Sequence, residues 1–307
     1  KHNEIKNSLG DAVYLSSNCD SAFVDNNTVK SNGDSDSGRS LRMFEVEDTI
    51  LFNNTIDSND YSGIVITESS NNKIIQNIIK GNGKYGIQIL NDATKSANNT
   101  IKDNTINDNS DIAIFNHGIF TKIINNTIKY NEQDGIKIAS EGARTTISSN
   151  NLVDNEGKSI IILAKNVAVS SNTIDADSSE IAISILNANF SSIENNSVEG
   201  GNLGIKVQNS TSAFIYNNTI KSNSGFGIQI LINSESARVK FNQLIDNEDN
   251  AIVISSSNST EVYNNTIKEN AGYGFAATNS KLIDFKGNII AVSYTHLRAR
   301  ETPVNLV

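Results

Sequence analysis

The feature that most constrains this 307-residue sequence is an asparagine that recurs at a nearly constant interval. Most copies are followed by Thr or Ile, and every copy has an aliphatic residue two positions later. The twelve copies are Asn27, Asn54, Asn77, Asn104, Asn126, Asn150, Asn172, Asn196, Asn218, Asn242, Asn265 and Asn288. Successive copies are separated by 27, 23, 27, 22, 24, 22, 24, 22, 24, 23 and 23 residues. Spacing this regular is typical of a repeat protein, in which each repeat packs against the next.

Two further features recur within each repeat and predict strands. About ten residues after most of the asparagines the chain reads Gly-Ile-x-Ile or Gly-Ile-x-Val, as at residues 63–66, 86–89, 135–138, 204–207 and 227–230. An aliphatic residue stands three positions before most of the asparagines, as Leu51, Ile74 and Ile101 do. Each repeat therefore holds three short runs in which apolar and polar residues alternate, which predicts three strands with one buried face.

A repeat of 22–24 residues with three strands and no helical period predicts an all-β fold, a single-stranded right-handed parallel β-helix solenoid. About twelve coils would stack into three parallel sheets around an aliphatic core, because one coil cannot bury its apolar face alone. At ~4.8 Å per coil, the rod would be roughly 55–60 Å long. Leucine-rich repeats share the period, but this chain is poor in leucine.

The recurrent asparagine is predicted to lie at the tight bend between the second and third strands of each coil. Asparagine tolerates the left-handed backbone conformation that such a bend needs. An inward-pointing amide could also hydrogen-bond to the backbone of adjacent coils and satisfy polar groups that burial would leave unpaired. We therefore expect an internal asparagine ladder along the rod.

Composition excludes several classes of partner. The formal net charge is −9 and the chain has no run rich in Lys or Arg, which disfavours nucleic acid and anionic membrane surfaces. No stretch approaches the ~18 apolar residues of a membrane span. The single cysteine, Cys19, rules out an internal disulfide framework. We expect a monomer without a cofactor.

The two ends of the sequence differ from the repeats between them. The segment VSYTHLRARET at 292–302 breaks the period and resembles the translation of a sequencing-library adapter. We therefore expect residues 1–291 to be the β-helix and residues 292–307 to be a non-native tail, so that His296 carries no function. No convincing end cap is found at either terminus, and we expect the β-helix to be a fragment truncated at both ends.

The repeat pattern resembles a known family. The runs Gly-Ile-x-Ile, Ser-x-Asn, Ile-x-x-Asn and Asn-x-Ile, which cover residues 5 to about 290, are similar to the β-helix repeats of the pectin-lyase-like superfamily, particularly NosD-like and related surface proteins. The resemblance implies that a ligand lies along the outer face of the Gly-Ile-x-Ile sheet. It leaves the activity open, because the superfamily includes lyases, hydrolases, epimerases and non-catalytic adhesins.

Alternation predicts which side chains that outer face carries. In coil order they are Tyr14, Arg42, Val65, Gln88, Ala113, Lys137, Ile161, Ser184, Lys206, Gln229, Val253 and Ala276. The first of the two 27-residue intervals carries a polar, glycine-bearing insertion at 31–40 just before this sheet, the kind of loop where function is often found.

That insertion gives the first candidate site. Tyr14 and Arg42 are predicted to be neighbours, with Asp34, Asp36 and Arg39 of the insertion close by as candidate substrate-binding residues. Tyrosine as a base and arginine as a carboxylate neutraliser are a plausible pair for a polysaccharide lyase, so Tyr14 and Arg42 are the candidate catalytic residues. A solvated loop with surface ion pairs is the alternative.

A second candidate site combines Asp111, His117, Asp134 and Lys137, expected on one rim of the sheet, one coil apart. We take His117, Asp134 and Lys137 as candidate substrate-binding residues, while a turn role for His117 stays open. The turns before the sheet are also acidic, and such a ridge could bind calcium weakly, although no metal site is expected.

These observations predict an extracellular, cell-surface or periplasmic protein that engages a polysaccharide or cell-surface glycan along the Gly-Ile-x-Ile face. It could be a lyase-like or epimerase-like enzyme. The alternatives are a non-catalytic structural or adhesive surface rod and, third, a NosD-like periplasmic accessory protein. The Asp-Pro-His-Asp motif sought in mannuronan epimerases is absent from the sequence.

Overall fold

The computed structural model describes residues 1–33, 39–90, 96–177 and 179–291. Within these residues the structure consists of strands and bends, and the strands form three parallel sheets. The predicted all-β parallel β-helix is confirmed. Asp34, Asp36 and the proposed tail at 292–307 lie outside the described residues.

Each coil contributes one strand to each sheet, in the order B, C, A. The strands of sheet A are Glu4–Lys6, Thr28–Lys30, Thr55–Asp57, Ile78–Lys80, Thr105–Asn107, Thr127–Lys129, Asn151–Val153, Thr173–Asp175, Ser197–Glu199, Thr219–Lys221, Gln243–Ile245, Thr266–Lys268 and Ile289–Ala291. The strands of sheet B are Val13–Leu15, Leu41–Phe44, Ile64–Thr67, Ile87–Leu90, Ile114–Asn116, Ile136–Ile138, Ile160–Ile162, Ile181–Leu186, Leu203–Gln208, Ile228–Leu231, Ile252–Ser255 and Phe275–Thr278. The strands of sheet C are Phe23–Asp25, Ile50–Phe52, Lys73–Ile75, Thr100–Lys102, Lys122–Ile124, Thr146–Ser148, Ala168–Ser170, Ser192–Glu194, Phe214–Tyr216, Arg238–Lys240, Glu261–Tyr263 and Asp284–Lys286.

The core is a stack of aliphatic side chains, mostly isoleucine. Equivalent strands pair in register, so that Ile64 lies beside Ile87 in the next coil and the alternation of inward and outward residues is kept. Inward residues such as Ile66, Ile74 and Ile79, one from each sheet, are fully buried. Isoleucine suits this position because its branched side chain packs well on a pleated surface.

The predicted asparagine ladder is confirmed and is continuous from Asn27 to Asn288. Asn126 shows the pattern: its Oδ1 accepts hydrogen bonds from the backbone N–H and the Nδ2 of Asn104, at 3.0 and 2.9 Å. Its own Nδ2 donates to the carbonyl of Ile101 and to the Oδ1 of Asn150, both at 3.0 Å. The side-chain amide of each ladder asparagine thus forms hydrogen bonds with buried polar groups of the coil before it and of the coil after it.

The backbone at this bend differs from the expectation in one respect. The left-handed conformation belongs to the residue before each ladder asparagine, for example Asn53 at φ 52° and Asn125 at φ 55°. The ladder asparagine itself therefore points inward from an ordinary backbone conformation. The assignment of the left-handed position to the ladder residue was wrong by one residue.

A second asparagine ladder, which the sequence reading missed, lies at the bend between sheets A and B. It links Asn32, Asn59, Asn82, Asn109, Asn131 and Asn155, and it resumes at Asn223, Asn247 and Asn270. In the two coils between, Ser179 donates to the carbonyl of Asn155 at 2.8 Å and Gly201 stands where an asparagine would be. Among the described residues, the buried Oδ1 of Asn223 consequently has no hydrogen-bond partner.

The glycine of the Gly-Ile-x-Ile motif has a steric cause. A Cβ built on Gly86 would lie 2.7 Å from the carbonyl oxygen of Ala113, and one on Gly204 would lie 2.5 Å from that of Gly227. Both distances are far below van der Waals contact, so a side chain at Gly86 or Gly204 would force the next coil to move away. The glycine of the motif therefore allows neighbouring coils to stack closely just before sheet B.

Candidate functional site

The outer face of sheet B carries a column of side chains that runs along the whole rod. Register places these side chains in the order Tyr14, Arg42, Val65, Gln88, Phe115, Lys137, Ile161, Ser184, Lys206, Gln229, Val253 and Ala276. Phe115 replaces Ala113 of the sequence prediction, and the other positions are as predicted. The error arose because the run Ile112-Ala113-Ile114 imitates the motif, whereas Ala113 in fact occupies the glycine position beside Gly86.

The first candidate site, which we call the N-terminal cluster, comprises Asp11, Tyr14, Arg39 and Arg42. Tyr14 and Arg42 are paired across sheet B, and the Arg42 guanidinium carbon lies 5.1 Å from the centre of the Tyr14 ring. The same guanidinium lies 5.5 Å from the ring of Phe44. The predicted proximity of tyrosine and arginine is therefore present, as a cation–π contact.

The carboxylate that reaches this arginine is Asp11, which the sequence reading had not selected. Asp11 Oδ2 lies 3.6 Å from Arg42 Nη1, and Asp11 Oδ1 accepts a hydrogen bond from the backbone N–H of Arg39 at 3.0 Å. Its position three residues before Tyr14, at the same bend as the insertion, was the available signal. Arg39 is tied to this bend through its backbone. Nothing is described of Asp34 or Asp36.

The second candidate site, which we call the central cluster, comprises Tyr85, Phe115, His117, Asp134 and Lys137. Phe115 is its centre: its ring lies 5.5 Å from that of Tyr85 and 4.5 Å, edge to face, from that of His117. Lys137 Nζ lies 5.5 Å from the centre of the Phe115 ring. An aromatic surface and a cation are thus adjacent on the outer face.

The residues of the central cluster do not share one rim, contrary to the expectation. Asp111 and Asp134 precede their sheet B strands, whereas His117 follows the strand Ile114–Asn116 and lies at the opposite edge. His117 Nδ1 is 3.3 Å from Glu141 Oε2, and its backbone N–H donates to the carbonyl of Ile89. Phe115 lies between the two edges and contacts both.

Asp134 is the most perturbed carboxyl of the cluster. Its Oδ1 accepts the backbone N–H of Lys158 at 2.8 Å. Burial raises the pKa of Asp134, while that hydrogen bond and the nearby Lys137 and Lys158 oppose the shift. Asp134 therefore places a partly buried carboxyl near Lys137 at one edge of the central cluster.

Lysines extend the positive character along the face. Lys84 Nζ donates a hydrogen bond to the Tyr61 hydroxyl at 2.9 Å, and it lies 4.7 Å from the centre of that ring. Among the described residues, no carboxylate oxygen lies within ion-pair distance of Lys84, Lys137 or Lys206. These three ammonium groups are therefore available to an anionic ligand.

A cleft lies further along the same sheet and was not anticipated. It has a volume of about 280 Å³ and is lined among others by Glu180, Lys206, Phe226 and Asp249. It adjoins the coils in which the second ladder is interrupted, and the two sheet B strands there, Ile181–Leu186 and Leu203–Gln208, extend to six residues. Loss of the ladder asparagine thus accompanies a reshaped bend beside the sheet.

Metal ligands are not gathered anywhere in the part of the chain that the structure describes. No group of three or more His, Cys, Asp or Glu side chains there is arranged to hold a metal ion. The acidic residues of the bends before sheet B follow one another along the rod instead of converging. Weak calcium binding stays a prediction.

Comparison with known proteins agrees with the architecture. The family model described as "Right handed beta helix region" matches residues 1–121, 95–174 and 142–290, which together span nearly the whole chain. The chain belongs to the right-handed β-helix family. No individually curated protein gives a significant sequence match to this β-helix protein.

Two solved structures are similar to this β-helix protein. One is the A-module of the mannuronan C-5 epimerase AlgE6 of Azotobacter vinelandii, with a TM-score of 0.70 and 14% identity, covering 94% of this chain and 85% of that one. Another is the Dettilon tailspike protein (gp208), with a TM-score of 0.57 and 12% identity, covering 90% of this chain and 61% of that one. At such identities the likeness concerns the fold. Within the described residues, no helix has the length and apolar character needed to cross a membrane.

Proposed function

We propose that this β-helix protein binds an acidic polysaccharide lengthwise along the outer face of sheet B, with one sugar held at the central cluster. The observation that carries the proposal is the contact between Phe115 and Lys137, with 5.5 Å between the ring centre and Nζ. A uronate ring has an apolar face and a carboxylate. The phenyl ring of Phe115 can contact the apolar face of the sugar, and the ammonium group of Lys137 can pair with the carboxylate.

The spacing of the other lysines supports a long ligand. Lys206 lies three strands beyond Lys137 in the same outward column, and Lys84 flanks the column on the other side of Phe115. Strands are ~4.8 Å apart, so an extended polymer that runs along the column meets several cations in succession. Because the whole chain has a net charge of −9, binding has to rest on these local contacts and weakens with salt.

The comparisons make alginate a sensible first ligand to test. The AlgE6 module is named for its action on mannuronan, and tailspike proteins share the rod architecture. We further propose that the protein acts outside the cytoplasm, at the cell surface or in the periplasm, where polymers of this kind are met.

A catalytic role is a second candidate, favoured by the pairing of Tyr14 with Arg42. In a β-elimination, Tyr14 as phenolate would remove the proton next to the uronate carboxylate. The bond to the leaving glycosidic oxygen would break, a double bond would form in the sugar, and the leaving oxygen would take up a proton. Arg42 would neutralise the carboxylate during this step. An adhesive rod would bind the same polymer without turning it over.

The test is the affinity for oligomannuronate and oligogalacturonate of defined length, measured by calorimetry for wild type and for Lys137→Gln. Loss of a charge-assisted contact is expected to weaken binding about tenfold. Lys122→Gln is the matched control, because Lys122 is an exposed lysine on the outer face of sheet C. It is expected to bind as wild type does. If no acidic oligosaccharide binds, or both variants bind equally, the proposal is wrong.

Catalysis is tested separately, by ultraviolet absorbance of the unsaturated product. Lyase activity that is lost in Tyr14→Phe and Arg42→Ala supports the catalytic candidate. Binding without any product in wild type supports the adhesive rod instead.

A further inference from the structure

The outer face of sheet C carries a second group of aromatic and charged side chains, far from both clusters of sheet B. Near its last strands the outward column reads Tyr216, Lys240, Tyr263 and Lys286, so aromatic and cationic residues alternate from strand to strand. We call the group of Phe214, Tyr216, Lys240, Phe241 and Tyr263 the sheet C platform. In the four coils before it, this column holds Ile124, Ser148, Ser170 and Glu194.

The aromatic rings of the platform contact one another. The rings of Phe214 and Tyr216 stack at 5.4 Å with 20° between their planes, and Tyr216 meets Phe241 edge to face at 5.3 Å. Lys240 Nζ lies 4.6 Å from the centre of the Tyr263 ring. These contacts restrict the positions that the rings can take on the outer face of sheet C.

Phe241 occupies a position that the fold would fill better with asparagine. It lies at the left-handed bend before a ladder asparagine, with φ 58°, and its side chain is 45% exposed. Asn195, Asn217 and Asn264 occupy the same position in other coils. A bulky residue in this conformation is strained, and strain of this kind is kept where a side chain has a task.

Bulky left-handed residues also occur at other bends, so strain alone does not single out Phe241. Phe120, with φ 53°, is an example, and its ring contacts Arg144. The distinguishing feature of Phe241 is that its exposed ring abuts the stacked pair of Phe214 and Tyr216. Together the three rings form a continuous apolar surface.

Among the described residues, the cations of this region are ion-paired, unlike Lys84, Lys137 and Lys206 of sheet B. Glu261 pairs with Lys240 at 2.7 Å and with Arg238 at 3.7 Å, and Asp284 pairs with Lys286 at 2.9 Å. Tyr263 donates its hydroxyl to Asp284, which raises the pKa of Tyr263 to about 12 and keeps the phenol neutral. The region therefore offers hydrogen-bond donors and acceptors side by side without a field that selects anions.

We propose that the sheet C platform is a second binding site, which takes a neutral, hydroxyl-rich glycan. A pyranose ring packs against the exposed Phe241 ring and the adjoining Tyr216, and its hydroxyl groups exchange hydrogen bonds with the Lys240–Glu261 pair. This site differs from the proposed sheet B site in face, residues and ligand class. The rod would accordingly bind an acidic polymer on one face and a neutral glycan on another.

The test is calorimetric titration of the full chain with neutral hexasaccharides of β-linked glucose, mannose and galactose. Wild type is expected to bind at least one of them. Phe241→Asn and Tyr216→Ser are each expected to weaken that binding about tenfold, from the loss of one stacking contact. Both substitutions place at these positions residue types that other coils already carry there, Asn217 and Asn264 for Phe241 and Ser148 and Ser170 for Tyr216, so the fold is expected to remain as stable as wild type.

Phe120→Asn is the matched control, since it removes another left-handed, exposed phenylalanine five coils earlier and at another bend. It is expected to leave neutral glycan binding unchanged, as is Lys137→Gln, which affects the sheet B site. The proposal is overturned if wild type binds no neutral hexasaccharide, if Phe241→Asn binds as wild type does, or if Phe120→Asn weakens binding equally. If neutral hexasaccharides bind but acidic oligosaccharides do not, this proposal stands while the proposal for sheet B fails.

Discussion

Removal of one amide from the ladder at the bend between sheets C and A should destabilise the whole rod. In Asn126→Ala, the backbone N–H and the Nδ2 of Asn104 lose an acceptor, and the Ile101 carbonyl and Asn150 Oδ1 lose a donor. Asn104 Nδ2 still reaches the carbonyl of Ile74 at 2.9 Å, and Asn150 Oδ1 still accepts the Asn126 N–H at 2.9 Å. The Asn104 N–H has no such second partner among the described contacts.

Four hydrogen bonds at about 1 kcal/mol each, with one buried donor left unpaired, give an expected loss of about 3–5 kcal/mol in the free energy of unfolding. Urea unfolding followed by far-ultraviolet circular dichroism measures it. Asn125→Gly is the control, because Asn125 is the left-handed residue beside Asn126 and its amide makes a solvent-exposed hydrogen bond to Asp103. The control should lose less than about 1 kcal/mol. Equal losses in the two variants would refute the stabilising role of the ladder.

Two further predictions concern Asp134, whose carboxyl is partly buried, and Asn223, whose Oδ1 has no hydrogen-bond partner among the described residues. Because burial raises the pKa of Asp134, its ionisation opposes folding, and wild type loses stability as pH rises through that pKa. Asp134→Asn should therefore be more stable than wild type at pH 7, with the gap closing near pH 3; a constant gap in urea unfolding would contradict this. Gly201→Asn should supply a donor to Asn223 Oδ1 and stabilise by about 1–2 kcal/mol, while Gly201→Ala should gain only the smaller backbone-entropy part. Equal melting shifts in the two Gly201 variants would exclude the ladder explanation.

The fold could be predicted well from the sequence because the same pattern of residues recurs twelve times. The Asn markers, the glycine motif and the aliphatic positions each correspond to a fixed place in the coil. The second ladder was equally visible, since Asn59, Asn82 and Asn109 each follow a first-ladder asparagine by five residues. It was missed because only the asparagines before the sheet A strands were used as markers of the repeat. Gly201 follows Asn196 by the same five residues, so the interruption of the second ladder at this position could also be predicted from the sequence.

The candidate sites were less predictable because they depend on contacts between coils. Tyr14 and Arg42 were placed together from alternation alone, and register confirms that they are neighbours. Phe115 was missed because the run Ile112-Ala113-Ile114 made Ala113, two residues earlier, look like the outward residue of that coil. The partner of Arg42, Asp11, depends on side-chain conformation, which spacing does not specify. The roles of all these residues stay predictions.

The two faces of the rod differ in how their cations are held, and this difference underlies the proposed ligands. On sheet B, Lys84 and Lys137 contact aromatic rings and have no carboxylate partner among the described residues. On sheet C, Lys240 and Lys286 are ion-paired. An exposed ion pair contributes little to stability but does neutralise the cation, so Lys84 and Lys137 present positive charge that Lys240 and Lys286 do not.

Lysine acetylation footprinting, read by mass spectrometry with and without an acidic oligosaccharide, tests the central claim most directly. The account predicts that the oligosaccharide protects Lys84, Lys137 and Lys206, and leaves Lys73 and Lys122 on the outer face of sheet C as reactive as before. Protection confined to sheet C, or equal reactivity of all five lysines when the ligand is saturating, would contradict binding along sheet B.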